Sequence, residues 1–81
     1  MKVRLLFFAV LRDIAGTGET ELDLPDGTTA RAVWESLRVR HAQLADYATP
    51  PMTAINEEYA SADAVLREGD ELAFIPPVAG G

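Results

Sequence analysis

Residues 2–10, KVRLLFFAV, form the first apolar run of the chain and decide which fold to expect. The run is rich in branched and aromatic side chains that alternate in direction, and this pattern predicts a β-strand. One face of the strand would carry Val3, Leu5 and Phe7, and the other Arg4, Leu6 and Phe8. Both faces are partly apolar, which is typical of a strand in the middle of a sheet.

The residues after this run predict a short helix and a second strand. Residues 11–15 place apolar side chains at helical spacing, and Gly16 can supply the left-handed residue that ends a helix. Residues 19–24 alternate acidic and less polar side chains, a pattern typical of a half-exposed edge strand whose charges discourage sheet-to-sheet association. Pro25-Asp26-Gly27 has the composition of a turn.

The main helix is predicted from Ala30 to Arg40. Thr29 can cap its first turn, because a threonine oxygen accepts a hydrogen bond from a free backbone amide there. Apolar residues recur at helical spacing at Ala30, Val33, Trp34 and Leu37. This stripe is typical of a helix that packs on a core.

The second half of the chain predicts three more strands. Between Ala42 and Pro51 the periodicity fails, and we expect a loop there. Short strands follow at 52–56 and 58–60, a turn at 67–70 and a last strand at 71–75. The order of elements predicts an α+β fold, a sheet covered on one face by the main helix. The predicted core consists of Val3, Leu5, Phe7, Trp34, Leu37, Leu72 and Phe74.

Length and charge restrict the classes of protein to which the chain can belong. Its 81 residues suffice for one domain, which we assign to residues 1–75, with residues 76–81 as a tail. The net charge of -6 argues against nucleic acid as a partner, since that role needs clustered basic residues. The apolar start is too short to span a bilayer and has no small-residue cleavage site. We therefore expect a cytoplasmic protein with no membrane partner.

The polar residues do not suggest an active site within the chain. His41 is the only histidine and cysteine is absent, so no zinc-ligand pattern exists, and we expect His41 to be solvated at a helix end. Ser36 and Ser61 lack the local sequence of a catalytic nucleophile. Six acidic residues between 57 and 71 are offset only by Arg67. They are equally typical of a docking surface for a basic partner and of solvated turns.

The tail is the most informative part of the sequence. Residues 72–81, LAFIPPVAGG, carry no charged side chain. Two prolines favour extended backbone, and six residues from Pro76 to Gly81 can reach about 20 Å. Gly80 and Gly81 have no side chains, as a terminus needs if its carboxylate must pass through a narrow channel. A carboxylate must be activated before it reacts, typically as an acyl-adenylate, so we expect the chain to carry a group rather than to act as a catalyst.

Several short motifs together resemble the family of small, sulfur-carrier subunits of molybdopterin synthase. The resemblance covers nearly the whole chain and is weakest over residues 40–51. It departs mildly from the family at Asp13, where Glu is frequent, and at Ile75, where a second aromatic residue is common. It rests on Phe7-Phe8-Ala9, Leu11-Arg12, Gly16, Ile55-Asn56, Gly69-Asp70-Glu71 and above all Phe74-Ile75-Pro76-Pro77-Val78-Ala79-Gly80-Gly81.

The resemblance implies a ubiquitin-like β-grasp fold, in which the sheet is mixed and the first and last strands are parallel neighbours in its middle. It also implies a chemistry at Gly81. An adenylating enzyme of the ubiquitin-activating type would use ATP to adenylate Gly81, and a sulfurtransferase would donate the sulfur of a thiocarboxylate. That sulfur would pass to cyclic pyranopterin monophosphate inside the large subunit. The chain itself would bind no cofactor. The tail residues that would bind in the channels of the partner proteins are Pro76, Pro77, Val78, Ala79 and Gly80.

A partner surface is expected at the tail end of the sheet, on the face opposite the main helix. On that face Phe8 and Ile75 would meet beside the root of the tail, if the first and last strands are parallel neighbours. The family resemblance adds Tyr59 to this interface. The alternative is that the short helix at 11–15 covers these residues. Three other functions stay open at this point, namely a thiamine-pathway sulfur carrier, a ubiquitin-like protein modifier and a plain binding module.

Overall fold

The computed structural model describes residues 1–46 and 51–75 and arranges them as a five-stranded sheet with helices. The sheet has the strand order β2-β1-β5-β3-β4, in which β1 and β5 are parallel and the other neighbours antiparallel. The predicted α+β architecture is confirmed. In chain order the elements are β1 (Lys2–Phe7), α1 (Ala9–Ala15), β2 (Glu19–Asp23), α2 (Ala30–Arg40), a 3₁₀-helix (Ala42–Asp46), β3 (Met52–Ile55), β4 (Glu58–Ala60) and β5 (Glu71–Ile75).

The parallel pair β1 and β5 forms the centre of the sheet, as predicted. Leu5 lies opposite Leu72, and Phe7 lies opposite Phe74. These side chains point to the same face and are almost completely buried. All seven predicted core residues are buried, and the same cluster also contains Leu11, Ala30, Val33, Leu44 and Leu66.

Helix α2 covers the core face of the sheet with the stripe that the sequence predicts. Its N-cap is Thr29, whose side chain accepts a hydrogen bond from the Ala32 amide at 3.2 Å. The ring of Trp34 packs on that of Phe74, with 5.2 Å between the ring centroids. This tilted aromatic pair joins the middle of the helix to the central strand.

The first turn of α2 is also tied to the segment that follows β4. The Arg31 amide donates to the Ala62 carbonyl at 2.7 Å, and the Arg31 side chain donates to the Asp63 carboxylate at 2.8 Å. That hydrogen bond, with the charge of Arg31, holds the pKa of Asp63 below its usual value. Both groups are exposed, so the pair adds little to stability.

Truncation of Leu37 to Ala is expected to lower the free energy of unfolding by about 2 to 5 kcal/mol, because it leaves a cavity in the core. Leu37 is only 6% exposed and lies on the buried stripe of α2. Denaturant unfolding measures the change. Val39 lies two residues further along the same helix and is 87% exposed, so Val39→Ala is the matched control and should change stability by less than about 0.5 kcal/mol. Equal losses in the two variants would contradict this packing.

Four predicted boundaries differ from the structure by one to three residues. The second strand, predicted at 19–24, ends at Asp23. The first strand ends at Phe7 rather than Val10, because Phe8 is the extended N-cap residue of α1, which begins at Ala9 rather than Leu11. The strand predicted at 52–56 ends at Ile55, since Asn56 belongs to the turn that follows.

The predicted loop from Ala42 to Pro51 is corrected over its first half. Residues 42–46 form a 3₁₀-helix, in which the Leu44 amide donates to the His41 carbonyl at 2.9 Å. His41 ends α2 in an extended conformation, and the tighter turn after it buries Leu44 in the core. His41 is half-buried rather than fully solvated. Residues 47–50 lie outside the described residues.

Candidate functional site

The face of the sheet opposite α2 has a row of small and large apolar residues that crosses four strands. Strand pairing sets Leu6 of β1 opposite Ala73 of β5, Ala73 opposite Ala54 of β3, and Ala54 opposite Tyr59 of β4. Residues that lie opposite each other in a sheet point to the same face. Two alanines therefore form the low middle of the row, with a larger side chain at either end.

This row is the floor of a groove of about 280 Å³, which we call the apolar groove. Phe8 and Ile75 line it at the tail end of the sheet. Phe8 is 46% exposed and Tyr59 is 70% exposed, so both aromatic side chains are accessible to solvent at the sides of the groove. The groove is lined by Leu6, Phe8, Ala54, Glu57, Tyr59, Glu71, Ala73 and Ile75.

The opposite end of the same face is charged. Arg4 pairs with Glu71 across the central strands at 3.5 Å, and Lys2 pairs with Glu21 at 3.5 Å. These side chains border a second depression, which we call the charged cleft. It is lined by Lys2, Arg4, Glu21, Asn56, Glu57, Glu68, Gly69 and Glu71. On this face β1 and β5 therefore both change from charged to apolar side chains along the chain.

Helix α1 does not cover the apolar groove. Its residue Leu11 is 2% exposed and belongs to the core cluster of Trp34 and Phe74, on the other side of the sheet. Ile14 packs against the same cluster. The alternative in which α1 buries the outward residues of β1 is therefore wrong, and the groove is open to a partner.

The structure brings together Phe8, Tyr59 and Ile75, which are the three described residues that the sequence analysis assigned to the partner surface. Their role in binding stays a prediction. Sequence reasoning missed Ala54 and Glu57, which line the groove only because β3 lies beside β5. The other predicted site residues lie outside the described residues, namely Pro76, Pro77, Val78, Ala79, Gly80 and Gly81.

The polar residues considered for other chemistry, His41, Ser36 and Ser61, lie outside the groove. Within 1–46 and 51–75, no three His, Cys, Asp or Glu side chains converge as a metal would require. The Ser61 hydroxyl accepts a hydrogen bond from the Asp63 amide, which is a local turn interaction. Over the same ranges no helix has the length and apolar content needed to cross a membrane.

Comparison of the sequence with known proteins identifies the family that it matches. The sequence profile of the ThiS family matches residues 5–81. The molybdopterin synthase sulfur carrier subunit of Escherichia coli K12 is 38% identical over 81 residues, covering 98% of this chain and 99% of its own length.

Two solved structures have the same fold. A putative molybdopterin converting factor, subunit 1, of Pyrococcus furiosus is 31% identical and has a TM-score of 0.83, over 96% of this chain and 99% of its own. SAMP1, a small archaeal modifier protein of Haloferax volcanii, is 26% identical and has a TM-score of 0.82 over the full length of both chains. The predicted ubiquitin-like β-grasp fold is thereby confirmed.

Proposed function

Since this chain belongs to the ThiS family, we propose that it is the sulfur carrier subunit of a molybdopterin synthase. One structural observation gives this function its main support. The apolar groove lies at the end of the sheet where β5 finishes at Ile75, and the uncharged residues 76–81 follow directly in the sequence. A large subunit that docks on the groove would hold the body outside while the tail reaches its active site.

The proposed chemistry takes place at the carboxylate of Gly81. An adenylating enzyme catalyses attack of that carboxylate on ATP, with release of pyrophosphate, and forms an acyl-adenylate. A persulfide sulfur of a sulfurtransferase then displaces AMP and forms an acyl disulfide with that enzyme. A thiol cleaves the S–S bond reductively, which leaves a thiocarboxylate on Gly81 and a disulfide between the thiol and the enzyme sulfur. The large subunit transfers this sulfur to cyclic pyranopterin monophosphate. We place these steps in the cytoplasm, and the catalytic side chains belong to the partners.

Mass spectrometry tests this function directly. The chain is incubated with ATP, the adenylating enzyme of the same organism, a sulfur donor and a thiol reductant. We expect a mass gain that matches replacement of one oxygen by one sulfur, located on the C-terminal peptide, and no gain when ATP is omitted. An unchanged mass under conditions that thiolate the Escherichia coli subunit would contradict the proposal.

A separate experiment on native cells distinguishes a carrier from a protein modifier. Lys2 is the only lysine, so the chain offers almost no site on which chains of its own copies could grow. A modifier would instead attach Gly81 to lysines of other proteins, and an immunoblot of native cells would show a ladder. The identity of the co-purifying partner distinguishes a molybdopterin from a thiamine pathway.

A further inference from the structure

The turn between β3 and β4 has an unusual residue at its second position. Ile55 lies opposite Glu58, so only Asn56 and Glu57 form the turn. Both have positive φ, 53° and 70°, which is typical of a type I′ hairpin. Asparagine tolerates this conformation well, but the second position favours glycine, and glutamate is strained there. Such strain persists only where the surrounding structure holds it.

Asn56 provides that support by joining the turn to the start of β5. Its side-chain amide donates to the Asp70 carboxylate at 3.0 Å, and its side-chain oxygen accepts from the Glu71 amide at 3.0 Å. The Asn56 backbone amide also donates to the Glu71 carbonyl at 2.8 Å. The backbone of Glu57 is therefore fixed relative to the central strand.

The place where Glu57 is held is the border between the two depressions of the outward face. Glu57 and Glu71 line both the apolar groove and the charged cleft. The carboxylate of Glu71 is paired with Arg4. Within the part of the chain that the structure describes, the exposed carboxylate of Glu57 has neither an ion pair nor a hydrogen bond.

We propose that Glu57 determines the specificity of docking by pairing with a basic side chain of the large subunit. This inference rests on the proposed function. That basic side chain would lie next to an apolar side chain of the large subunit, which would fill the apolar groove. Charge complementarity supports this occupant, because Lys2 and Arg4 of the same face are already paired with acidic residues and the chain has a net charge of -6. The strained Glu57 would then serve recognition rather than folding.

Charge reversal at two neighbouring positions tests the inference. Glu57→Lys is compared with Glu58→Lys, in titrations of the large subunit of the same organism at low and at high salt. Glu58 is also exposed, lines neither depression and points to the other face of the hairpin from Tyr59. We expect Glu57→Lys to raise Kd about tenfold or more at low salt, and Glu58→Lys to raise it less than about twofold.

A third variant separates recognition from a purely structural role. Asparagine tolerates positive φ, so Glu57→Asn should keep or raise the melting temperature. It should nevertheless weaken binding about two- to fivefold, since it removes the carboxylate of an exposed pair. The increase in Kd with salt should also be smaller than in the wild type.

The outcomes distinguish this inference from the function on which it rests. Equal losses of affinity in Glu57→Lys and Glu58→Lys would overturn the inference alone, because net charge rather than a specific pair would then explain binding. Unchanged binding by Glu57→Asn, or weaker binding only in step with a lower melting temperature, would overturn it as well. A wild-type chain that does not bind the large subunit would overturn the proposed function and the inference together.

Discussion

Deletion of Gly81 is expected to abolish sulfur transfer and to leave the free energy of unfolding unchanged. The reacting carboxylate belongs to Gly81, and a chain that ends at Gly80 places its carboxylate one residue, about 3.5 Å, short of the same point. A core built from residues 3–74 holds the domain together, so the loss of one tail residue should not weaken it. Extension of the chain past Gly81 should have the same effect, because the carboxylate is then an amide.

Two measurements on each variant check this expectation. Product formation with the large subunit reports sulfur transfer, and thermal unfolding reports the integrity of the domain. Ala79→Ser is the matched control, since it adds one hydroxyl within the tail and leaves Gly80 and Gly81 intact, and it should be tolerated. If a chain extended past Gly81 still delivered sulfur without being trimmed, the carrier mechanism would be wrong.

The elements that the sequence predicted well are those whose signals are local or repeated. Helix α2 has the predicted bounds, because Thr29 caps it and four apolar residues set its buried stripe. The parallel pairing of β1 with β5 was predicted from the family resemblance, and the two partly apolar faces of β1 agree with its place in the middle of the sheet. Both strands change from charged to apolar along the chain, and their parallel alignment therefore gives the outward face a charged end and an apolar end.

The features that the sequence could not show depend on contacts between distant segments. Ala54 lines the groove because β3 lies next to β5, and nothing in the residues of β3 specifies that neighbour. The left-handed backbone of Glu57 runs against the preference of glutamate and is held by its neighbour Asn56, whose side chain accepts a hydrogen bond from Glu71 of β5. The 3₁₀-helix at 42–46 has no apolar repeat, and its residue Leu44 is buried in the core cluster formed by distant segments. Tertiary contacts override local preference in each case.

Replacement of Phe8 and Ile75 by Asp is expected to abolish binding of the large subunit and to leave the domain folded. The double variant puts two carboxylates into the apolar groove, where docking would have to remove them from water at a cost of several kcal/mol. Titration of the large subunit measures the loss of affinity, and thermal unfolding measures stability.

The double variant should stay folded because of the position of Phe8. It is 46% exposed, and it is the N-cap residue of α1 without a side-chain hydrogen bond to the helix. Aspartate is among the best N-cap residues, and a good cap contributes about 0.5 to 2 kcal/mol, which should offset the lost packing of the ring. Phe8→Asp alone should thus lower affinity and keep the melting temperature. Ile75 is half-buried, so its single variant should show the larger thermal effect of the two.

An exposed apolar residue outside the groove supplies the control. Val65 is 56% exposed, a fraction similar to the 46% of Phe8. It forms an isolated β-bridge with Thr29, the N-cap residue of α2, and does not lie on the docking face. Val65→Asp should bind the large subunit as the wild type does. If Phe8→Asp unfolded the domain, Phe8 would be part of the core. If it bound as well as Val65→Asp, the large subunit would have to dock elsewhere, and the apolar groove would not be the partner surface.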